Sequence, residues 1–214
     1  MTNVAIIDYG VGNLRSVEKA FLAAGCDAVV SSDREVLMKA ERLVLPGVGA
    51  FAACMKALSE AHFDALVRQR AVAGTPLLGV CVGMQMLFEE SEEFGRTKGL
   101  GLLPGRVQAL KADLPVPHVG WNQVRQQREH PLFAGIDDGS FFYFVHSFFC
   151  RPADAANVLG ETEYGPVFAS IVGHKNISGV QFHPEKSQTD GLRLLRNFAT
   201  SEVYYVGQTN HPLS

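Results

Sequence analysis

The sequence predicts a single α/β domain built on a central mixed, mostly parallel sheet with flanking helices. In the N-terminal half, short apolar runs alternate with segments whose apolar residues recur at helical spacing. This alternation is typical of parallel strands joined by right-handed helical crossovers. From about Gly99 onward, strand-like runs are separated by glycine, proline and aspartate instead of helices, which favours antiparallel strands added to the same sheet.

The elements follow one another in a regular order. A buried strand over residues 4–8 comes first, and the helix after it begins with a cap at Asn13 and ends near Gly25. The other predicted helices cover residues 32–40, 51–58, 63–73 and 191–198. The other predicted strands cover residues 28–30, 42–45, 77–80, 106–110, 119–124, 141–149, 158–162, 167–172 and 177–182.

Composition limits the possible partners. The chain has 214 residues with a net charge of −3, which provides no general attraction to nucleic acid or to an anionic membrane. The N-terminus lacks signal-peptide features, and no apolar run reaches the roughly 18–20 residues of a membrane span. Because the cysteines show no CxxC spacing, we expect a cytoplasmic location. We also expect one domain over residues 1–200 and a loose tail over 201–214.

Cys81 follows directly after the predicted strand 77–80, at the sheet edge where open α/β proteins place their sites. The sequence GVCVG at residues 79–83 has the form of a nucleophile elbow, with sulfur in place of the serine oxygen. The glycines allow a tight turn, and the N–H groups of the following helix favour a thiolate. A buried structural cysteine is the alternative that this pentapeptide alone leaves open.

A nucleophilic thiol needs a base and a group that orients the base. Of the seven histidines, only His183 stands in an arrangement that demands a role, because it begins the tripeptide His-Pro-Glu after a predicted strand. The proline favours extended geometry before it, and residues i and i+2 of an extended segment project to the same side. Glu185 can therefore reach His183, although pairing of Glu185 with Lys186 at the surface is the alternative.

Acyl transfer also needs donors for an oxyanion. One donor would be the N–H of Val82, next to the nucleophile. The sequence LPGVG at residues 45–49 ends at the same sheet edge, and Gly47 and Val48 are the candidate second donors because proline has no N–H. A phosphate-binding loop is a poor alternative, since the lysine and the hydroxyl are missing, and GVG at residues 10–12 lacks the third glycine of a dinucleotide-binding motif.

Several segments in this order resemble a known family. GVCVGMQ with a downstream HPEKSQ is similar to the class I, triad-type glutamine amidotransferases. DYGVGNLRSV, LPGVGAF, GVCVGMQML, VPHVGWN, YFVHSF and GVQFHPEKSQ more specifically resemble the glutaminase subunits of imidazole glycerol phosphate synthases. The resemblance spans about residues 4–198 and implies a flavodoxin-like class I glutamine amidotransferase fold. Val82 stands where members commonly have leucine.

The resemblance implies roles for particular residues. Cys81 would attack the glutamine amide, His183 would protonate the departing ammonia and then activate water, and Glu185 would hold His183. Gly47, Val48 and Val82 would form the oxyanion hole. The residues implied to bind glutamine are Gly49, Gln85, Glu93, Ser147 and Phe148.

The resemblance also implies a partner, a (β/α)8 cyclase subunit that forms a heterodimer with the glutaminase and receives ammonia for imidazole glycerol phosphate synthesis in histidine biosynthesis. Trp121, Tyr143 and Lys186 match interface or ammonia-gate positions. Judged from the sequence alone, Trp121 is instead expected in the core. No cofactor and no metal ion are implied.

Three other functions fit the sequence less well. PHVGWN and HPEKSQ argue against the glutaminases of anthranilate, GMP or pyridoxal phosphate synthesis. A non-catalytic binding module would be favoured by loss of Cys81, His183 or Glu185, and all three are present. A cysteine-based redox protein would have no use for His-Pro-Glu.

Overall fold

A large mixed sheet forms the centre of the computed structural model, which describes residues 4–111 and 113–201. The strands are, in chain order, β1 (Val4–Ile7), β2 (Ala28–Ser31), β3 (Arg42–Gly47), β4 (Leu77–Cys81), β5 (Phe88–Ser91), β6 (Thr97–Lys98), β7 (Leu103–Ala109), β8 (His118–Gln123), β9 (Arg125–Gln126), β10 (Phe141–His146), β11 (Phe148–Pro152), β12 (Val158–Glu163), β13 (Val167–His174) and β14 (Ile177–Val180). The helices are α1 (Leu14–Ala23), α2 (Arg34–Lys39), α3 (Phe51–Glu60), α4 (Phe63–Val72), α5 (Val82–Met86) and α6 (Gln188–Thr200).

The strand order determines where a site can form. In the large sheet the order is β2-β1-β3-β4-β14-β13-β11-β7-β5-β6, and β12 with β9 is added beside β13. The strands from β2 to β14 run parallel, whereas β13 and β11 are antiparallel to their neighbours. β8 and β10 form a separate antiparallel pair, the β8–β10 ribbon. The predicted α/β fold is confirmed, and the carboxyl ends of β3, β4 and β14 meet at one edge.

Helices cover the parallel strands because those strands are apolar on both faces. All residues of β1 and of β4 are buried, as expected for parallel strands packed between helices. In α1, Val17, Ala20 and Phe21 are buried at helical spacing. Helix α1 contacts α6, while α3 contacts α4 and α5.

The strand predicted over residues 141–149 is wrong, because the chain changes sheets at Ser147. β10 pairs with β8 in the ribbon, whereas β11 pairs with β7 and β13 in the large sheet. Both halves are rich in aromatic and β-branched residues, so the pattern continues through the break. Asn13 occupies the predicted N-cap position of α1, but its side chain makes no capping hydrogen bond.

Other elements differ mainly at their ends. The helix predicted over residues 191–198 spans Gln188–Thr200, and the strand predicted over 177–182 ends at Val180. The sequence pattern does not predict β5, β6 and β9, because these strands are short and carry charged residues.

Two further sequence-based expectations are a loose C-terminal tail and the lack of a membrane-spanning segment. From position 202 onward, the tail predicted over residues 201–214 lies outside the described residues. In the part of the chain that the structure describes, no helix is both long and apolar enough to cross a membrane.

Phe182 offers a test of this core. Its ring is fully buried and stacks on Phe142 at 4.1 Å between centroids. We expect Phe182→Ala to lower the free energy of unfolding by about 3–5 kcal/mol, because it leaves a cavity. The same substitution at Phe94, which is 91% exposed, should change it by less than about 0.5 kcal/mol. Urea denaturation of both variants measures the two effects, and equal effects would contradict this packing.

Candidate active site

Cys81 lies at a sharp turn between β4 and α5. Its backbone has φ 57° and ψ −115°, a conformation that non-glycine residues rarely adopt and that costs about 1–3 kcal/mol. A Cβ atom at Gly83 would overlap the carbonyl oxygen of Leu45, so only glycine lets the turn pack directly on β3. Helix α5 begins at Val82, and with five residues it contributes only a small dipole at the sulfur.

The pairing of β14 with β4 brings His183 to this turn. Val180 lies opposite Val80 in the parallel register, so the chain beyond β14 passes beside Cys81. A 3₁₀ turn at Pro184–Lys186 then folds Glu185 back, and its Oε1 lies 2.8 Å from His183 Nδ1. The side chains of His183 and Glu185 are only 6% and 1% exposed. The structure therefore brings the three predicted catalytic residues together.

His183 is electrostatically coupled to both neighbours. Burial lowers its pKa, but hydrogen bonds with Cys81 and Glu185 and the negative charges of both outweigh burial and raise the pKa to about 10. At neutral pH the imidazole therefore carries a proton on each nitrogen. One N–H is directed at Glu185, and the other is available to the sulfur or to a leaving group at Cys81.

A cavity of about 350 Å³ opens in front of Cys81. Ten of the predicted site residues line it: Val48, Gly49, Cys81, Val82, Gln85, Glu93, Ser147, Phe148, His183 and Lys186. Pro117, Val145 and His146 also line it, and they were not among the predicted site residues. Within residues 4–111 and 113–201, no group of three or more histidine, cysteine or acidic side chains is arranged to hold a metal ion.

The end of β3 and the loop that follows it accept hydrogen bonds from two buried side chains. The carbonyl of Pro46 accepts a hydrogen bond from Tyr9 Oη at 2.6 Å, and the carbonyl of Val48 accepts one from Cys54 Sγ at 3.2 Å. Gly47 lies opposite Cys81 in the β3–β4 register. These contacts fix the orientation of the candidate oxyanion donors. Neither Tyr9 nor Cys54 carries a local sequence signal, because only the fold brings them under the loop.

A chain of amides leads from the cavity wall to the sulfur. Gln85 Nε2 donates to the carbonyl of Phe148 at 3.2 Å and to Gln181 Oε1 at 3.1 Å. Gln181 Nε2 lies 3.9 Å from Cys81 Sγ. Gln181 was not among the predicted site residues, although a polar residue two positions before His183 in an apolar run was an available signal.

Glu93 is tied to helix α3. Its Oε2 accepts a hydrogen bond from the backbone N–H of Phe51 at 2.6 Å, at the first residue of that helix. The carboxylate therefore stabilises the helix N-terminus while it also lines the cavity.

Trp121, Tyr143 and Lys186 form a cluster beside the cavity. Trp121 lies opposite Tyr143 in the β8–β10 ribbon, with 6.1 Å between ring centroids, and Lys186 Nζ lies 5.7 Å from the Tyr143 ring. The sequence-based expectation that Trp121 belongs to the core is wrong, because its side chain is 45% exposed. Only one face of the ribbon packs on the domain, and Trp121 is on the other.

Comparison with known proteins shows a consistent set of relatives. The family model for glutamine amidotransferase class-I matches residues 5–201. Imidazole glycerol phosphate synthase subunit HisH of Syntrophotalea carbinolica is 48% identical over 202 residues, which cover 91% of this chain and 98% of that protein. The protein of the same name from Moorella thermoacetica is 48% identical over 211 residues, covering 99% of this chain and 100% of that protein.

Two solved structures share the fold. A crystal structure of a glutamine amidotransferase matches with a TM-score of 0.72 at 22% identity, covering 91% of this chain and 96% of that one. The structure of PurLQS from Thermotoga maritima matches with a TM-score of 0.72 at 18% identity, covering 92% of this chain and 97% of that one.

His183 makes the stability of the fold depend on pH. Its pKa of about 10 in the fold lies above the usual 6.5, so its stabilising effect is complete below pH 6.5 and is lost as the pH rises through 10. We expect the difference in unfolding free energy between the wild type and His183→Asn to shrink over this interval. Urea denaturation measures it, with His174→Asn at an exposed histidine as the matched control. A constant difference would contradict the coupling.

Proposed function

This chain belongs to the class-I glutamine amidotransferase family, and we propose on that basis that it is the glutaminase subunit of an imidazole glycerol phosphate synthase. It hydrolyses glutamine to glutamate and ammonia and delivers the ammonia to a cyclase subunit in histidine biosynthesis. The observation that carries the proposal is the meeting of Cys81, His183 and Glu185 at one cavity. Relatives with 48% identity support the choice of this synthase.

The chemistry follows from the arrangement of the three side chains. The Cys81 thiolate attacks the carbon of the glutamine amide, and a tetrahedral oxyanion forms. The protonated His183 gives its proton to the departing ammonia, which leaves a thioester on the sulfur. His183, now neutral, takes a proton from water as the water attacks the thioester, and glutamate is released. Glu185 holds the imidazole in the required orientation throughout.

Backbone N–H groups stabilise the oxyanion. Val82 provides one of them, directly after the nucleophile, and the segment of Gly47 and Val48 provides the other from the end of β3. This loop is packed against the elbow and is held by Tyr9 and Cys54. Donors held in this way need little reorganisation during the reaction, which is why they are effective.

The remaining cavity residues recognise glutamine. Glu93 uses one carboxylate oxygen on Phe51, and its negative charge suits the α-ammonium group of the substrate. Gln85 and the backbone of Ser147 and Phe148 form the facing wall, and Gly49 lines the cavity from the loop after β3. A cavity of about 350 Å³ lies in the range typical of small-molecule sites.

The cyclase subunit docks on the outer face of the β8–β10 ribbon. Val119, Trp121 and Phe141 expose apolar side chains there, a composition typical of interfaces. The carbonyl oxygen of Tyr143 accepts a hydrogen bond from the backbone N–H of His183 at 2.9 Å, so this face lies next to the proposed catalytic histidine. Trp121, Tyr143 and Lys186 then border the path by which ammonia leaves.

The proposal also covers the domain organisation, the subunit assembly and the cellular compartment of the protein. Residues 1–200 form a single glutamine amidotransferase domain that pairs with the cyclase as a heterodimer. A catalytic thiolate is readily oxidised, so a reducing compartment, the cytoplasm, suits it.

Replacing Cys81 tests the function. We expect Cys81→Ala and Cys81→Ser to abolish glutamate release from glutamine, because no nucleophile remains, while fold and partner binding persist. The measurement is glutamine hydrolysis by the purified chain, with and without the ligand-bound cyclase. Undiminished hydrolysis by Cys81→Ala would exclude the assignment, and a wild-type complex without hydrolysis would exclude the function.

Covalent labelling provides a control on the same residue. Diazo-oxo-norleucine, an electrophile that mimics glutamine, should modify Cys81 and none of Cys26, Cys54 and Cys150. Burial raises the pKa of these three thiols, and none of them lines the cavity. Mass spectrometry of the digested protein identifies the labelled residue.

The two partners of Cys81 should differ in their effect on the rate. His183→Asn removes the acid and base and should lower kcat/KM by at least about two to four orders of magnitude. Glu185→Gln leaves the base in place but poorly oriented, so a smaller loss is expected. Both variants should still use external ammonia through the cyclase. Greater damage from Glu185→Gln at every pH would reverse the assigned roles.

A further inference from the structure

Two buried histidines that the proposed reaction does not use lie side by side at the cavity, and His146 is part of its wall. His146 ends β10, His118 begins β8, and the two are opposite each other in the register of the ribbon. They are 6% and 2% exposed, and His118 Nδ1 lies 3.0 Å from His146 Nε2. The His118 ring also stacks on Phe144 and Tyr164, with 5.0 and 3.9 Å between centroids.

Each end of this histidine pair contacts a group whose hydrogen-bonding role, donor or acceptor, is fixed. His146 Nδ1 lies 2.8 Å from the carbonyl oxygen of Phe148, which can only accept a hydrogen bond. At the other end, His118 Nε2 lies 3.3 Å from Asn122 Nδ2. The Asn122 oxygen accepts from the Gln123 N–H at 2.8 Å, so the amide nitrogen faces His118 as a donor.

These contacts determine which ring nitrogen of each histidine carries the proton. Burial lowers the pKa of both His118 and His146 to about 4, so each ring is neutral with one proton at neutral pH. His146 must carry its proton on Nδ1 to donate to Phe148, and its Nε2 is then an acceptor. His118 must therefore also carry its proton on Nδ1. Both rings adopt the Nδ1–H tautomer.

The Phe148 carbonyl connects the pair to the catalytic sulfur. It accepts from His146 and also from Gln85 Nε2, which donates its second N–H to Gln181. Gln181 Nε2 lies 3.9 Å from Cys81 Sγ. A continuous path of hydrogen bonds therefore runs from the ribbon to the nucleophile and includes a wall of the cavity.

We propose that His118 and His146 are positioning residues for glutamine binding, which hold the Phe148 carbonyl and through it the Gln85 side chain. This inference rests on the proposed function. Without His118, the proton of His146 can move to Nε2, and a nitrogen lone pair then faces the Phe148 oxygen and repels it. Gln85 loses a fixed partner, and the wall that receives glutamine is no longer held in place.

The tautomers provide the first test. Two-bond ¹H–¹⁵N spectra of the chain labelled with ¹⁵N-histidine distinguish the protonated nitrogen of each ring, and His118→Phe and His146→Phe assign the signals. We expect Nδ1–H in both rings at neutral pH. An Nε2–H tautomer or an imidazolium in either ring would overturn the proposal. This result does not depend on any activity, so it is independent of the proposed function.

Kinetics of the complex with the cyclase provide the second test. His118→Phe keeps the ring stacking but removes the donor, and His146→Phe removes both hydrogen bonds. We expect each to raise the KM for glutamine about tenfold while kcat changes less than about threefold. His146→Asn places an amide donor near the Nδ1 position and should bring KM back to within about threefold of the wild type. A fall in kcat without a rise in KM, or no rescue by His146→Asn, would contradict the proposal.

Phe168→Leu is the matched control for packing. Phe168 contacts both rings edge-on, with 6.2 and 5.0 Å between centroids, and its side chain makes none of these hydrogen bonds. We expect Phe168→Leu to lower the Tm without changing the KM for glutamine. A rise in KM equal to that of His118→Phe would show that the histidines act through packing alone. If the wild-type complex hydrolyses no glutamine, the proposed function fails, while the tautomer test still decides the state of the pair.

Discussion

The parallel pairing of β4 with β14 is the constraint on which the site depends. With Val80 opposite Val180, the next residues of the two segments are Cys81 and Gln181, and His183 follows on the same side as Gln181. Main-chain hydrogen bonds between strands distant in sequence thus place His183, the proposed acid–base group, beside the sulfur. A slip of one residue would turn His183 to the opposite face, so the hydrophobic pattern that fixes the register of the sheet also fixes the chemistry.

Burial strengthens the attraction between the charges of His183 and Glu185, but it also costs free energy to remove these charges from water. His183 and Glu185 are almost fully enclosed, so their attraction is screened little by solvent. A buried ion pair adds little net stability, but removal of one partner leaves an uncompensated charge. The proposed acid–base pair and the stability of this sheet edge are therefore linked. Cys81 is part of the same balance, because its interactions with His183 help to raise the pKa of the imidazole.

The parts predicted from the sequence were those with a local signature. The elbow at residues 79–83 and the tripeptide at 183–185 each contain the geometry in adjacent positions, and the alternation of strands and helices established the parallel half of the sheet. Tyr9 and Cys54 act through contacts that only the fold creates, so no spacing in the sequence reveals their roles. The change of sheets within residues 141–149 was missed because pairing partners, and not composition, decide where a strand belongs.

The strained backbone of Cys81 has a consequence for protein engineering. Glycine adopts a φ of 57° readily, so Cys81→Gly relieves a conformational cost at the same position where it removes the proposed nucleophile. A library selected only for heat resistance would therefore enrich chains that lack the proposed nucleophile. Directed evolution of this scaffold has to select for turnover and thermal tolerance in the same step, or exclude position 81 from randomisation.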